Sequence, residues 1–73
     1  MTVEQIESIF TYLKPFGNQP KRYEDLRYGA KKLAEQINIL CPESREKSLA
    51  LTSLQQTIVW ANASIAINEK EGA

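Results

Sequence analysis

The strongest constraint on the fold is an apolar stripe within residues 42–68. Its side chains recur at alternating spacings of three and four, at Leu51, Leu54, Ile58, Ala61 and Ile65. This spacing places them on one side of an α-helix, along a seam that fits a second helix. A helix over 42–68 would be about 40 Å long at 1.5 Å per residue. The chain is therefore expected to fold around a long helical arm.

A second segment, residues 20–40, carries the matching pattern. Its apolar side chains also repeat at three and four, at Tyr23, Leu26, Ala30, Leu33, Ile37 and Leu40. Pro20 suits the first turn of this helix, and Pro42 suits the first turn of the next, because the missing N–H costs no hydrogen bond there. We expect the two helices to pack as a long antiparallel hairpin.

Residues 1–13 predict a short helix before the hairpin. Thr2 and Gln5 form a capping-box pattern, and the apolar residues that follow share one side of the helix. These are Val3, Ile6, Ile9 and Phe10. The helix should end near Leu13, before a loop over residues 14–19, because residues 14–20 contain two prolines, a glycine and an asparagine. The predicted fold is all-α.

The chain is too short to cover the long arm by itself. Residues 1–73 form one domain, and a chain of this size buries only about 60% of the surface that its unfolded form exposes. A second apolar stripe lies beside the first, at Leu49, Val59, Ala63 and Ala66. One partner helix covers one stripe, so the other requires a second copy of the protein. We therefore predict a homo-oligomer.

The titratable residues limit the possible chemistry. The chain has no histidine and one cysteine, so we expect no metal site, no cofactor and no disulfide within one copy. The absence of a histidine base, a Gly-rich phosphate loop and a Cys–base pair argues against an enzyme. Cys41 is interpreted as a packing residue. With no signal peptide and no long apolar segment, a soluble cytoplasmic protein without a membrane partner is expected.

The net charge is zero, but the basic residues are concentrated between Lys14 and Lys32. Six basic side chains and two acidic ones lie there, for a local charge of +4, whereas residues 1–13 and 33–73 each carry −2. A neutral chain lacks the broad basic field of a protein that binds long nucleic acids, so the asymmetry favours a compact anionic partner. The alternative is a solvated helix face with stabilising ion pairs.

Aromatic and basic side chains alternate around the first loop. This mixture suits a nucleotide, because bases stack on aromatic rings and phosphates accept hydrogen bonds from guanidinium and ammonium groups. Phe10 and Tyr23 fall on the apolar stripes and are interpreted as core. Tyr12 lies off the apolar side of the first helix, while Arg27 and Lys31 share a polar flank of the second. The candidate ligand site comprises Tyr12, Arg22, Arg27 and Lys31.

Several short blocks resemble the phage anti-CBASS sponges, small proteins that sequester cyclic oligonucleotide messengers. The related Thoeris anti-defence sponges share their helical hairpin. The similarity is strongest in SREKSLALT at 44–52 and WANA at 60–63. Further blocks follow the same order: FTY at 10–12, QPKRY at 19–23, LR at 26–27 and AK at 30–31. The resemblance covers most of the chain.

The resemblance implies a homo-oligomer, a hexamer in that family, which binds a cyclic dinucleotide such as cyclic GMP-AMP between protomers. It would block CBASS immunity without cleaving the ligand. In that family a tyrosine after the first helix stacks on a base and a basic residue early in helix two contacts a phosphate, and Tyr12 and Arg27 match these positions. Leu13 and Ile67 depart from residues that the family links to a second site, for cyclic trinucleotides. The alternatives are a sponge for a cyclic ADP-ribose isomer, a plain helical interaction module and a weak nucleic-acid accessory protein.

Overall fold

Three α-helices make up the fold in this computed structural model, which describes residues 1–10 and 14–70. They are α1 (Val3–Phe10), α2 (Gln19–Leu40) and α3 (Arg45–Asn68). The second and third helices pack against each other as an antiparallel hairpin, and no strand occurs in the described ranges. The predicted all-α fold, a short first helix followed by a long hairpin, is confirmed.

The start of α1 has the predicted capping box. The backbone N–H of Thr2 donates to Oε1 of Gln5 at 2.8 Å, and the backbone N–H of Gln5 donates to Oγ1 of Thr2 at 3.1 Å. This reciprocal pair satisfies two donors near the helix start. The described part of the helix reaches Phe10, and the predicted end near Leu13 lies outside the described residues.

The start of α2 follows from two residues with restricted or unusual backbone angles. Gly17 has a φ of 58° in the turn before the helix, a left-handed conformation that glycine adopts without steric cost. α2 begins at Gln19, one residue before the predicted start, and Pro20 lies in its first turn as predicted. The helix ends at Leu40, and Cys41 is extended.

The start of α3 corrects the prediction for Pro42. This helix begins at Arg45 rather than at Pro42, and Ser44 is its N-cap. The Ser44 hydroxyl accepts a hydrogen bond from the backbone N–H of Lys47 at 3.1 Å. A serine cap satisfies a donor that the helix start leaves unpaired, so the capping residue sets the boundary. Pro42 consequently lies in the turn between α2 and α3.

Replacing Ser44 by alanine should lower the free energy of unfolding by about 1 kcal/mol, because the N-cap hydrogen bond is lost. Urea denaturation followed by circular dichroism at one protein concentration would measure the change. Ser53→Ala is the matched control, since Ser53 is exposed within α3 and alanine is a better helix former. Equal losses of stability in the two variants would contradict the capping role.

The closed end of the hairpin is held by Lys47. This side chain is buried, at 7% exposure, although lysine is rarely buried unless it is paired. Its Nζ donates to the backbone carbonyl of Asn38 at 3.1 Å and to Oε1 of Glu43 at 2.5 Å. These bonds join the first turn of α3 to the last turns of α2.

The apolar seam between α2 and α3 is thin. The seam residues on both helices are half-buried: Leu26, Ala30, Ile37, Leu51, Leu54, Ile58, Ala61 and Ile65. No apolar side chain in the described part of the chain is fully buried. Leu33 and Leu40, which the pattern also placed on the seam, are exposed, as are Leu49 and Val59 of the second stripe. A single copy therefore leaves a large apolar surface uncovered.

The dimensions of the molecule agree with this description. Its radius of gyration is 15.7 Å, against about 11 Å for a compact globule of this length. Its accessible surface is 6270 Å², against about 4,600 Å² for a compact monomer of this mass. None of the helices in the described ranges is long and apolar enough to cross a bilayer.

Candidate functional site

Arg27 and Lys31 border one groove between α2 and α3. They lie four residues apart, which places them about one turn apart on the same side of the helix. The remaining wall of the groove is mainly apolar: Ala30, Ala34, Leu51, Leu54, Gln55, Ile58 and Val59. Both cationic side chains are exposed, and neither forms an ion pair within the described ranges. The prediction that they share a flank agrees with this geometry.

Arg27 also borders a neighbouring hollow toward the open end of the hairpin. This hollow is lined by Pro15, Tyr23, Asn62, Ala63 and Ala66 as well. The Oδ1 atom of Asn62 is buried and has no hydrogen-bond partner among the described residues. A buried acceptor without a partner is costly, so it is a natural acceptor for a donor supplied by a ligand or a second chain. Tyr23, interpreted as core, is half-buried beside it.

Asn62 was missed as a site candidate by the sequence reasoning. Its block, residues 60–63, carried the family resemblance but was given no site role. A possible signal was its position four residues after Ile58 and one after Ala61, at the edge of the apolar seam. A polar side chain at that position must find a partner or remain near solvent.

Arg22 lies in a different place from Arg27 and Lys31. Its Nη1 and Nη2 atoms donate to the two carboxylate oxygens of Glu69, at 2.8 and 2.5 Å. It borders a separate hollow at the open end of the hairpin with Phe16, Asn18, Asn68, Glu69 and Lys70. The structure therefore brings together Arg27 and Lys31, and it places Arg22 against a carboxylate of its own chain.

Gln19 extends this contact into a network. Its side chain is 2% exposed, and its Nε2 donates to Oε1 of Glu69 at 3.0 Å. The backbone N–H of Phe16 donates to Oε1 of Gln19 at 3.1 Å. We call Gln19, Arg22 and Glu69 the open-end cluster. It joins the first turn of α2 to the residue that follows α3.

The open-end cluster shifts the pKa of its acidic member. Hydrogen bonds from Arg22, first, and from Gln19 lower the pKa of Glu69 from its ordinary value of 4.5 to about 2. Both donors stabilise the charged carboxylate, and this outweighs the opposing effect of desolvation. The same hydrogen bond raises the pKa of Arg22 above its ordinary value. Glu69 is therefore ionised at neutral pH, as expected for a carboxylate that accepts three hydrogen bonds.

Acidification from about pH 4.5 to about pH 2 should protonate Glu69 and remove its ion pair with Arg22. Because its folded pKa lies below the ordinary value, its contribution to stability is complete above pH 4.5 and is lost as the pH falls through about 2. The difference in Tm between wild type and Glu69→Gln, followed by circular dichroism, should stay constant above about pH 5 and shrink toward pH 2. A difference that is independent of pH over this range would contradict the ion pair.

Tyr12, the fourth predicted site residue, lies outside the described residues, as does Leu13. Ile67 is exposed on α3. Within residues 1–10 and 14–70, no group of three or more His, Cys, Asp or Glu side chains is arranged to hold a metal ion. The groove thus offers two cations, an apolar wall and a nearby amide. This combination suits an anion that carries flat apolar rings.

The helical hairpin matches a known protein family. The family model described as the Acb2/Tad1 hairpin domain matches residues 2–66, which include α1, α2 and most of α3. No match was found among curated proteins or among solved structures. The matched domain is a sponge-type anti-defence domain that binds a small nucleotide ligand. Since the match covers most of the chain, this protein belongs to the Acb2/Tad1 hairpin family of anti-defence sponges.

Proposed function

We propose that this protein binds a cyclic dinucleotide, such as cyclic GMP-AMP, and sequesters it to block CBASS immunity in the cytoplasm of a host bacterium. The observation that carries the proposal is the pair Arg27 and Lys31 beside an apolar groove on a sponge-family hairpin. Phosphodiester oxygens accept charge-assisted hydrogen bonds from such cations. Bases stack on aromatic rings, and we assign that role to Tyr12. The groove supplies apolar contact beside them.

The proposed site is completed by a second copy of the chain. A cyclic dinucleotide has near two-fold symmetry, and an isologous interface supplies each site residue twice. The exposed Leu49 and Val59 of the second stripe and the half-buried seam support assembly, because they leave apolar surface that a monomer would hold in water. We propose a homo-oligomer, with a hexamer as the assembly that the family resemblance implies.

The proposed mode of action is binding without cleavage. Hydrolysis of a phosphodiester requires a base, a nucleophile or a metal-activated water beside the phosphate. The groove is lined by arginine, lysine, glutamine and apolar residues, and the chain contains no histidine. The ligand should therefore leave the protein with its ring intact. No cofactor takes part in this mechanism.

The proposal is tested by thermal shift and calorimetry with a ligand panel. The panel comprises cyclic GMP-AMP, cyclic di-AMP, a cyclic trinucleotide, a cyclic ADP-ribose isomer and the linear dinucleotide as control. We expect the cyclic dinucleotides to raise the Tm, because a ligand that binds only the folded state stabilises it. After heat denaturation, chromatography should recover them unchanged. No shift with either cyclic dinucleotide would refute the assignment, and linearised product would reveal an enzyme.

A cyclic ADP-ribose isomer of Thoeris immunity is the second candidate ligand. The matched family model combines both kinds of sponge under one hairpin domain. In addition, Arg27 and Lys31 lie one turn apart, a spacing that also suits two linked phosphates. The panel separates the candidates, because this assignment predicts the larger Tm shift with the ADP-ribose isomer.

A further inference from the structure

We propose that Arg22 and Glu69 are positioning residues for the nucleotide site. They fasten residues 14–18, the connection into α2, to the end of α3, and Arg22 acts through this attachment rather than by contact with a phosphate. The inference rests on the proposed function, because it concerns the site of that ligand. Glu69 lies beyond residues 2–66, the part that the family model matches.

The carboxylate of Glu69 is the centre of the attachment. Its Oε2 accepts from Nη1 of Arg22, and its Oε1 accepts from Nη2 of Arg22 and from Nε2 of Gln19. A two-point contact between arginine and a carboxylate fixes orientation as well as distance. Glu69 itself is held at the helix end, because its backbone N–H donates to the carbonyl of Ile65 at 3.3 Å. The start of α2 is thus fixed relative to the end of α3.

Gln19 transmits this attachment to the preceding loop. Its buried side chain uses both ends of its amide, since Oε1 accepts from the Phe16 N–H while Nε2 binds Glu69. The backbone N–H of Gln19 also donates to the Phe16 carbonyl at 3.0 Å. Phe16 is therefore held through both backbone polar groups. Pro15, the neighbour of Phe16, lines the hollow that Arg27 borders, so the attachment extends to the candidate site.

Direct phosphate contact by Arg22 would take place away from the groove of Arg27 and Lys31, because Arg22 borders a hollow that includes neither of them. Its Nη1 and Nη2 atoms each donate to the Glu69 carboxylate, whose negative charge repels a phosphate. Removal of Glu69 would remove this repulsion, so direct contact predicts equal or tighter binding. A positioning role predicts weaker binding, and the two roles therefore predict opposite effects when Glu69 is removed.

Calorimetry with cyclic GMP-AMP on Arg22→Ala, Glu69→Ala and the double variant distinguishes the roles. A positioning role predicts that each single change raises the Kd by about tenfold, through loss of preorganisation. The double change should raise it no further, because both remove the same attachment. Direct contact predicts that Glu69→Ala frees Arg22 and keeps or improves affinity. That outcome would overturn the inference.

Two further variants keep the test independent of folding defects. Arg22→Lys keeps a charge that can meet a phosphate but cannot make the two-point contact, so we expect it to bind as weakly as Arg22→Ala. The exchange of charges, Arg22→Glu with Glu69→Arg, should recover affinity toward wild type. Wild-type affinity in Arg22→Lys, or no recovery in the exchanged variant at wild-type oligomer mass, would contradict the positioning role.

The matched control is the neighbouring pair Lys21 and Asp25. These side chains form an exposed ion pair at 2.8 Å in the first part of α2, but they do not join two elements. Lys21→Ala and Asp25→Ala should leave the Kd within about twofold of wild type, as expected for an exposed pair. A tenfold rise in either control would show that binding responds to local charge rather than to the attachment.

Hydrogen exchange without ligand separates failure of this inference from failure of the proposed function. In Glu69→Ala the amide of Phe16 should exchange about tenfold faster than in wild type, because its acceptor is no longer held. Faster exchange with unchanged affinity would overturn the positioning role and leave the proposed function standing. Unchanged exchange would overturn the attachment itself. A wild-type protein that binds no cyclic dinucleotide would refute the proposed function and this inference with it.

Discussion

Replacement of Arg27 by alanine should weaken cyclic dinucleotide binding by about 3–6 kcal/mol. Each charged hydrogen bond to a phosphate is worth about 1.5–3 kcal/mol, and a symmetric interface removes two at once. Arg27 is exposed and forms no ion pair within the described ranges, so its removal breaks no salt bridge of the hairpin. Calorimetry would measure the affinity, and light scattering should show an unchanged oligomer mass.

The same experiment extends to the stacking residue and to its controls. Tyr12→Ala should cost about 2–6 kcal/mol if one base stacks on each of two rings at about 1–3 kcal/mol per base. Arg45→Ala is the control for Arg27, because this exposed arginine begins α3 at the closed end of the hairpin. Lys31→Ala is compared with Lys32→Ala as its control, because Lys32 is next in sequence but pairs with Glu35 at 3.8 Å. Normal affinity in both Tyr12→Ala and Arg27→Ala would refute the site assignment.

The second large effect is expected on assembly. Leu51→Glu places a charge on the seam between α2 and α3, where the side chain is half-buried. Burial of a charge without a partner costs several kcal/mol, which is a large part of the total stability of a small domain. This variant should lose both its helical circular dichroism signal and its oligomer.

A companion variant separates assembly from folding. Leu49 is 52% exposed in the single chain, and glutamate is a good helix former. Leu49→Glu should therefore keep its helical signal while light scattering falls toward the 8.3 kDa chain. Thr57→Glu, an exposed position on α3 outside both stripes, should remain assembled. A wild-type monomer at micromolar concentration would refute the oligomer and the shared site together.

The sequence was sufficient for the fold because the relevant physics is local. Spacings of three and four, a capping box at Thr2 and Gln5, and Pro20 in a first turn each depend on residues within one helix. The predicted start of α3 was wrong because the local pattern allows more than one start. Pro42 and Ser44 both favour a helix start, and the observed hydrogen bond between Ser44 and Lys47 decides between them.

The geometry of the candidate site was predictable only where its residues share a helix. Arg27 and Lys31 are four apart, so periodicity alone places them together. The contact between Arg22 and Glu69 spans 47 residues. Glu69 lies in a polar C-terminal stretch whose sequence resembles a solvated tail. Such a contact depends on the lengths of α2, α3 and the turn that joins them. Those lengths became known only with the observed boundaries.

Burial of the polar side chains of Gln19 and Lys47 has a consequence for how this hairpin tolerates insertions. Gln19 lies at the open end and Lys47 at the closed end, so the register between α2 and α3 is specified at both ends. One residue inserted into the middle of α3 would rotate everything after it by about 100°. The closed end would keep its contacts, while Glu69 would turn away from Gln19 and Arg22. We expect natural variation in hairpin length to occur as compensated changes in both helices.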